Sequence, residues 1–163
     1  MTLTASEQIP ISLNGKSGTV QSGATILEAA REMGVEIPTL CWASNLTPAN
    51  ACRLCVVELE GSRTLVPACS RVCEPGSVIN TESERVALSR KMVLELLDST
   101  NDLSESPELQ ALIEHYGADA SRYDEPSTMK DDIKVEDDLF IRAYDRCDLC
   151  YKCVDACGDE AQF

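Results

Sequence analysis

Four cysteines in the pattern C41-x10-C52-x2-C55-x13-C69 leave this chain few ways to fold. Cys52 and Cys55 form a C-x-x-C pair that can reach neighbouring positions on one small inorganic core. Cys41 and Cys69 lie in flanking segments, so a compact fold must bring them back to that pair. The segment ASNLTPANACRL before Cys55 is rich in small and turn-forming residues. Such a loop can wrap a core and aim backbone N–H groups at its sulfurs. Four soft, anionic thiolates are the donor set of a [2Fe–2S] cluster. A zinc site and plain structural cysteines are the competing readings. Zinc knuckles usually pair two C-x2-C units, and Cys41 and Cys69 are not so paired.

Nine cysteines in 163 residues also bear on compartment. In a secreted chain they would suggest disulfides. The odd count, the tight spacing and an opening segment, MTLTASEQIP, without basic and apolar signal regions predict a reducing cytoplasm instead. No apolar run approaches the length of a membrane span. Net charge is −14, and residues 98–138 carry 13 of the 28 acidic residues against 3 of the 14 basic ones. Such a balance repels phosphate and disfavours nucleic acid as a partner. The acidic stretch reads as a solvated connector, or as a docking surface for a basic partner.

Alternation over Ile9–Leu13 and Gly18–Gln21 around Asn14-Gly15 predicts a β-hairpin. Thr25 and Glu28 form a capping-box signature ahead of a helix whose apolar face is Ile26, Leu27, Ala30 and Met33, ending at Gly34. Short strands are expected at Val56–Leu59, Arg63–Val66 and Ser77–Asn80. Thr81–Asp98 reads as an amphipathic helix with Val86, Val93, Leu94 and Leu97 on one face and Arg85, Arg90 and Lys91 elsewhere. Pro107–Tyr116 reads as a shorter helix closed by Gly117. Residues 118–138, with Pro126, read as connector, and Leu139–Tyr144 as a return to order. This succession is that of an α+β β-grasp.

The sequences around the cysteines, IPTLCW, ACRLCVVE and LVPACS, resemble the N-terminal ferredoxin-like domain of the large iron–sulfur subunit of respiratory complex I. The same domain occurs in NAD-dependent, molybdenum- or tungsten-containing formate dehydrogenases and in NAD-reducing hydrogenases. The resemblance covers about residues 8–100, including the helix that ends KMVLELLDS. It implies a β-grasp domain holding a [2Fe–2S] cluster on Cys41, Cys52, Cys55 and Cys69, with Cys73 a free thiol. Plant-type ferredoxins space their cysteines differently.

A second group, C147-x2-C150-x2-C153-x3-C157, follows the bacterial ferredoxin run for a [4Fe–4S] cluster. The segment RAYDRCDLCYKCVDACG resembles the ferredoxin-like insert of the formate dehydrogenase branch. Gly158 stands where that run usually has proline, and no second run follows before Phe163, which suggests a truncated or split protein. Complex I and several relatives carry a further site of one histidine and three cysteines between the two groups. Here no cysteine lies between Cys73 and Cys147, and His115 reads as a surface or packing residue. That departure favours the formate dehydrogenase branch.

The expected organisation is a [2Fe–2S] domain with trailing helix over 1–100, an acidic helix and connector over 101–138, and a partial [4Fe–4S] segment over 139–163. No nucleotide-binding loop or nucleophile–base arrangement is present, so the chain is expected to carry electrons rather than catalyse alone. By resemblance its partners are a molybdenum or tungsten pterin subunit and a flavin/NAD subunit. A free-standing acidic ferredoxin and a non-redox assembly or structural protein are the alternatives.

Overall fold

The computed structural model describes residues 7–123, 133–135 and 138–161. Strand β1 (Gln8–Leu13) turns Ile9, Ile11 and Leu13 inward, and β2 (Lys16–Gln21) returns antiparallel with Ile9 opposite Val20. The two residues of the turn, Asn14 and Gly15, have φ of 50° and 78°. Both positive values match the right-handed twist of a tight hairpin. The Asn14 side chain then ties the tip to the end of β5 (Val78–Asn80). Its Oδ1 accepts the Thr81 N–H and its Nδ2 donates to Thr81 Oγ1, both at 2.8 Å.

With β3 (Val56–Leu59) and β4 (Val66–Pro67), the strands form one sheet in the order β2-β1-β5-β3-β4. The pair β1–β5 is parallel and the other pairs are antiparallel. Helix α1 (Ile26–Glu32) buries Ile26, Leu27, Ala29 and Ala30 against this sheet. Burying each of the two larger side chains, Ile26 and Leu27, contributes about 1.5–3 kcal/mol. The architecture is the expected β-grasp. The fourth strand is shorter and later than the expected Arg63–Val66. Ser62 Oγ donates to the Thr64 carbonyl at 2.7 Å and curls the chain, so pairing begins at Val66.

Helix α2 spans Glu84–Thr100 rather than Thr81–Asp98. The Thr81 N–H is taken by Asn14, and Ser83 Oγ accepts from the Val86 N–H to cap the helix further along. Arg90, expected away from the apolar face, is fully buried. Helical arithmetic explains this: Val86, Arg90 and Leu94 stand four residues apart, on one stripe. Helix α3 (Pro107–Tyr116) ends at Gly117 as expected, and exposed His115 sits edge-on to the Tyr116 ring.

A second apolar cluster joins Leu40, Leu54, Leu94, Leu103 and Leu109. It locks α2 and α3 onto the segments that flank Cys41 and Cys55. The first part of the expected connector is docked rather than free. Arg122, in a short turn at Ala120–Arg122, pairs with the buried Glu95 carboxylate at 2.7 Å, and the Asp119 N–H reaches the other oxygen at 3.4 Å. Pro126 and most acids of residues 124–138 lie outside the described residues. Beyond them, Lys134 and Arg142 exchange two backbone hydrogen bonds of 2.9 Å.

Candidate metal centre

Three segments carry the first cysteine group: the loop after Pro38 with Cys41, the loop holding Cys52 and Cys55 before β3, and the turn after β4 with Cys69. The thiols fall into two pairs. In one, the Cys52 backbone N–H donates to Cys41 Sγ at 3.5 Å. In the other, the Cys69 thiol is hydrogen-bonded to Cys55. Among the described residues, no three His, Cys, Asp or Glu side chains converge on a single ion position. Two pairs suit a core of two irons, each taking two thiolates.

Local backbone makes this geometry possible. Arg53, between Cys52 and Leu54, adopts φ 59°, and the Leu54 N–H then donates to Cys52 Sγ at 3.4 Å. Asn50 also lies in the left-handed region, at φ 56°, a conformation that asparagine tolerates better than most residues. Its Oδ1 accepts from Ser70 Oγ at 2.7 Å and lies 3.4 Å from Cys69 Sγ, so it ties the two cysteine loops together.

Helix α1 holds the third segment. Its first free amides, Ile26 N–H and Leu27 N–H, donate to the Arg71 and Ala68 carbonyls at 2.8 and 2.9 Å, either side of Cys69. The capping box that starts this helix is complete: Glu28 N–H donates to Thr25 Oγ1 and Thr25 N–H to Glu28 Oε2. Thr25→Ala is therefore expected to cost about 1 kcal/mol. Chemical denaturation should show the drop, and a bound cluster should bleach faster because the Cys69 turn loosens. Arg31, in the last turn of α1, lies 3.9 Å from the centre of the Trp42 ring and so clasps the residue after Cys41.

Electrostatics favour metal uptake at one pair. The hydrogen bond from Cys69 outweighs burial and brings the Cys55 thiol down to about 6, while the same contact pushes Cys69 up. That contact favours the thiolate form at Cys55, the form that binds metal. Burial pushes Cys41 up. Cys73 is buried and lies outside both pairs; burial first, and then the Glu28 charge, push its thiol up.

Cys41, Cys55 and Cys69 are buried, whereas Cys52 is half-exposed. It borders an apolar cleft of about 390 Å³, also lined by Val93, Leu96, Leu97, Leu149 and Tyr151. The second cysteine group approaches the first here, because Cys150 and Cys52 pack on the same apolar cluster. That group is tethered to the end of α2: Asn101 Nδ2 donates to the Cys147 carbonyl at 2.8 Å and Asp102 N–H to the Asp145 carbonyl at 2.7 Å. Cys150 is half-buried, and Cys147, Cys153 and Cys157 are exposed. Cys153 lies on a short helix, α4 (Lys152–Asp155), and Cys157 on the turn that continues it. Among the described residues, no three of these four thiols are drawn to a common point.

The cysteines are legible in the sequence as site residues, whereas the parts played beside them by Asn50, Trp42 and Arg90 are not. The run Pro-Ala-Asn before Cys52 carried a trace of the first, since asparagine is at home in turns. The other two depend on contacts between segments distant in sequence.

Residues 6–84 match the family described as 2Fe-2S iron-sulfur cluster binding domain. The chain is 39% identical over 164 residues to a subunit of the NADP-reducing hydrogenase of Solidesulfovibrio fructosivorans, covering 92% of this chain and 28% of that protein. It is 34% identical over 160 residues to a subunit of an NADH-quinone oxidoreductase of Rhizobium meliloti, covering 93% of this chain and 19% of that protein. The chain thus spans between about a fifth and somewhat over a quarter of the length of these relatives. Among solved structures, a chain of an NAD+-reducing [NiFe]-hydrogenase in its H2-reduced state superposes with a TM-score of 0.80 at 31% identity, covering 94% of this chain and 68% of that one.

Proposed function

Since the chain belongs to the [2Fe–2S] ferredoxin-like family found in subunits of NAD(P)-linked hydrogenases and NADH-quinone oxidoreductases, we propose that it is an electron-relay module of such an enzyme. Cys41, Cys52, Cys55 and Cys69 are its ligands in this reading. A [2Fe–2S] cluster there supplies one-electron redox chemistry. The observation that carries the reading is the pairing of four thiols within a β-grasp, three of them buried and one at the mouth of an apolar cleft. Buried ligands exclude water, loop amides donate to sulfur, and the Cys52 edge is where electrons enter or leave.

Residues 1–100 form the cluster domain with its trailing helix in this reading, residues 101–138 are an acidic helix and connector whose described part as far as Tyr123 packs on α2, and residues 139–163 form a second station. Cys147, Cys150, Cys153 and Cys157 keep the donor set of a [4Fe–4S] cluster, completed on cluster binding or with a ligand from another polypeptide. The carrier works between a substrate-oxidising partner and a flavin/NAD-type partner. In the formate dehydrogenase form of this reading the former is a molybdenum or tungsten pterin subunit. Nine free thiols suit the reducing cytoplasm. No helix among the described residues is long and apolar enough to cross a membrane.

Anaerobic purification followed by iron analysis, visible absorption and EPR of the reduced protein tests this. About two irons per chain and a [2Fe–2S] signal are expected from the first site alone, and about six when the second is also filled. A colourless, zinc-loaded protein would end the redox reading. Pull-down from the native host then identifies the partners. Recovery of the chain alone, reducing soluble acceptors at useful rates, would favour a free ferredoxin over a subunit.

A further inference from the structure

Resting on the assignment of the [2Fe–2S] site above, we infer that Arg90 is a positioning residue whose buried charge raises the reduction potential of that cluster. Arg90 has no solvent exposure, although arginine is seldom buried without a partner. Its guanidinium grips the backbone on both sides of a ligand. Nε donates to the Leu54 carbonyl at 3.2 Å and Nη2 to the Val56 carbonyl at 3.1 Å. The carbonyl between them, that of Cys55, accepts from Ala68 N–H at 3.2 Å. Three consecutive carbonyls are thus held, two of them by one cation.

The cation is incompletely neutralised. Nη1 donates to the Tyr116 hydroxyl at 2.7 Å, and the neighbouring carboxylate, Glu82, stands 3.6 Å away with its side chain 58% exposed. Water screens the glutamate far better than it screens the guanidinium. Positive charge therefore persists in the interior beside Cys55. Reduction adds one negative charge to a [2Fe–2S] core, so a nearby buried cation favours the reduced form. The peptide linking Leu54 to Cys55 adds to this. Its carbonyl accepts from the guanidinium and its other end is the Cys55 N–H, which polarisation makes a stronger donor toward sulfur. A residue needed only to fasten α2 to the loop could be neutral. Burying a guanidinium carries a desolvation cost that fastening alone does not require.

The test is an EPR-monitored redox titration of the full chain with its cluster, comparing wild type with Arg90→Gln, Arg90→Lys and Glu82→Gln. Arg90→Gln is expected to lower the midpoint. Arg90→Lys keeps the charge but not the fork, so it should lower thermal stability while leaving the midpoint near wild type. Glu82→Gln removes the exposed counter-charge and should raise the midpoint by less than Arg90→Gln lowers it. Should Arg90→Gln fail to assemble the cluster, Arg90→Lys and Glu82→Gln decide the matter between them. An unmoved midpoint in Glu82→Gln or Arg90→Gln, or a fall in Arg90→Lys as large as in Arg90→Gln, would leave Arg90 a fastening residue only. Absence of a [2Fe–2S] signal from the wild type would instead sink the site assignment itself.

Discussion

Cys52→Ala is expected to abolish the [2Fe–2S] absorption and EPR signal and to loosen the loop from Cys41 to Cys55. Cys52 contributes twice to the site. Its own thiol receives the Leu54 N–H, and its backbone N–H donates to Cys41 Sγ. Alanine keeps the second contact and removes the first, along with one of four donors. The remaining three thiols cannot satisfy two irons, and the cluster no longer cross-links segments distant in sequence. Metal binding and folding are coupled in such sites, so the cluster-free variant should also unfold at lower denaturant concentration than the loaded protein. Cys73→Ala is the matched control. Cys73 is also buried, but it belongs to the α1 side of the core, where its N–H donates to the Ala24 carbonyl. Its replacement should cost some packing and leave the spectrum intact. A retained signal in Cys52→Ala, or a lost one in Cys73→Ala, would show that the assigned ligand set is wrong.

The second large effect is expected at Leu94. This residue of α2 is fully buried in the cluster with Leu40, Leu54, Leu103 and Leu109. Leu40 precedes Cys41 and Leu54 precedes Cys55, so one side chain supports both cysteine segments. Leu94→Ala should cost about 2–5 kcal/mol, because the lost transfer energy is joined by the cavity left behind. Equilibrium denaturation gives the stability, and the rate at which colour fades in the presence of an iron chelator gives the loosening of the site. Leu88→Ala, on the same helix but 57% exposed, should change stability by no more than about 0.5 kcal/mol and leave the fading rate alone. Equal effects from the two would mean that the apolar cluster does not hold the cysteine loops.

Much of the fold was legible because it is written in short-range patterns. Alternation gave away β1 and β2, Asn14-Gly15 their turn, and Thr25 with Glu28 the start of α1, since each device acts within a few residues. The errors came where other contacts intervene. Asn14 captures the Thr81 N–H and delays α2, and the Ser62–Thr64 bond shortens β4. Arg122 docks on Glu95, so part of the expected connector is packed. Arg90 reads as solvent-facing because charge is assigned to water by default, and the carbonyls that accept it belong to residues 36 and 34 positions away.

By itself, the amino-acid sequence determined the donor chemistry. Soft thiolates select a thiophilic metal, and the spacing of Cys41, Cys52, Cys55 and Cys69, unlike the paired C-x2-C units of zinc knuckles, favours iron and sulfide over zinc. Tertiary structure alone decided how those donors pair, that Asn50 and Arg90 brace the loops that carry them, and that Cys150 comes to rest on the apolar cluster beside Cys52. The physical reason is range. Ligand type and local turns are properties of a few adjacent residues, whereas pairing, burial and the environment of a charge arise when segments far apart in the chain close around one another.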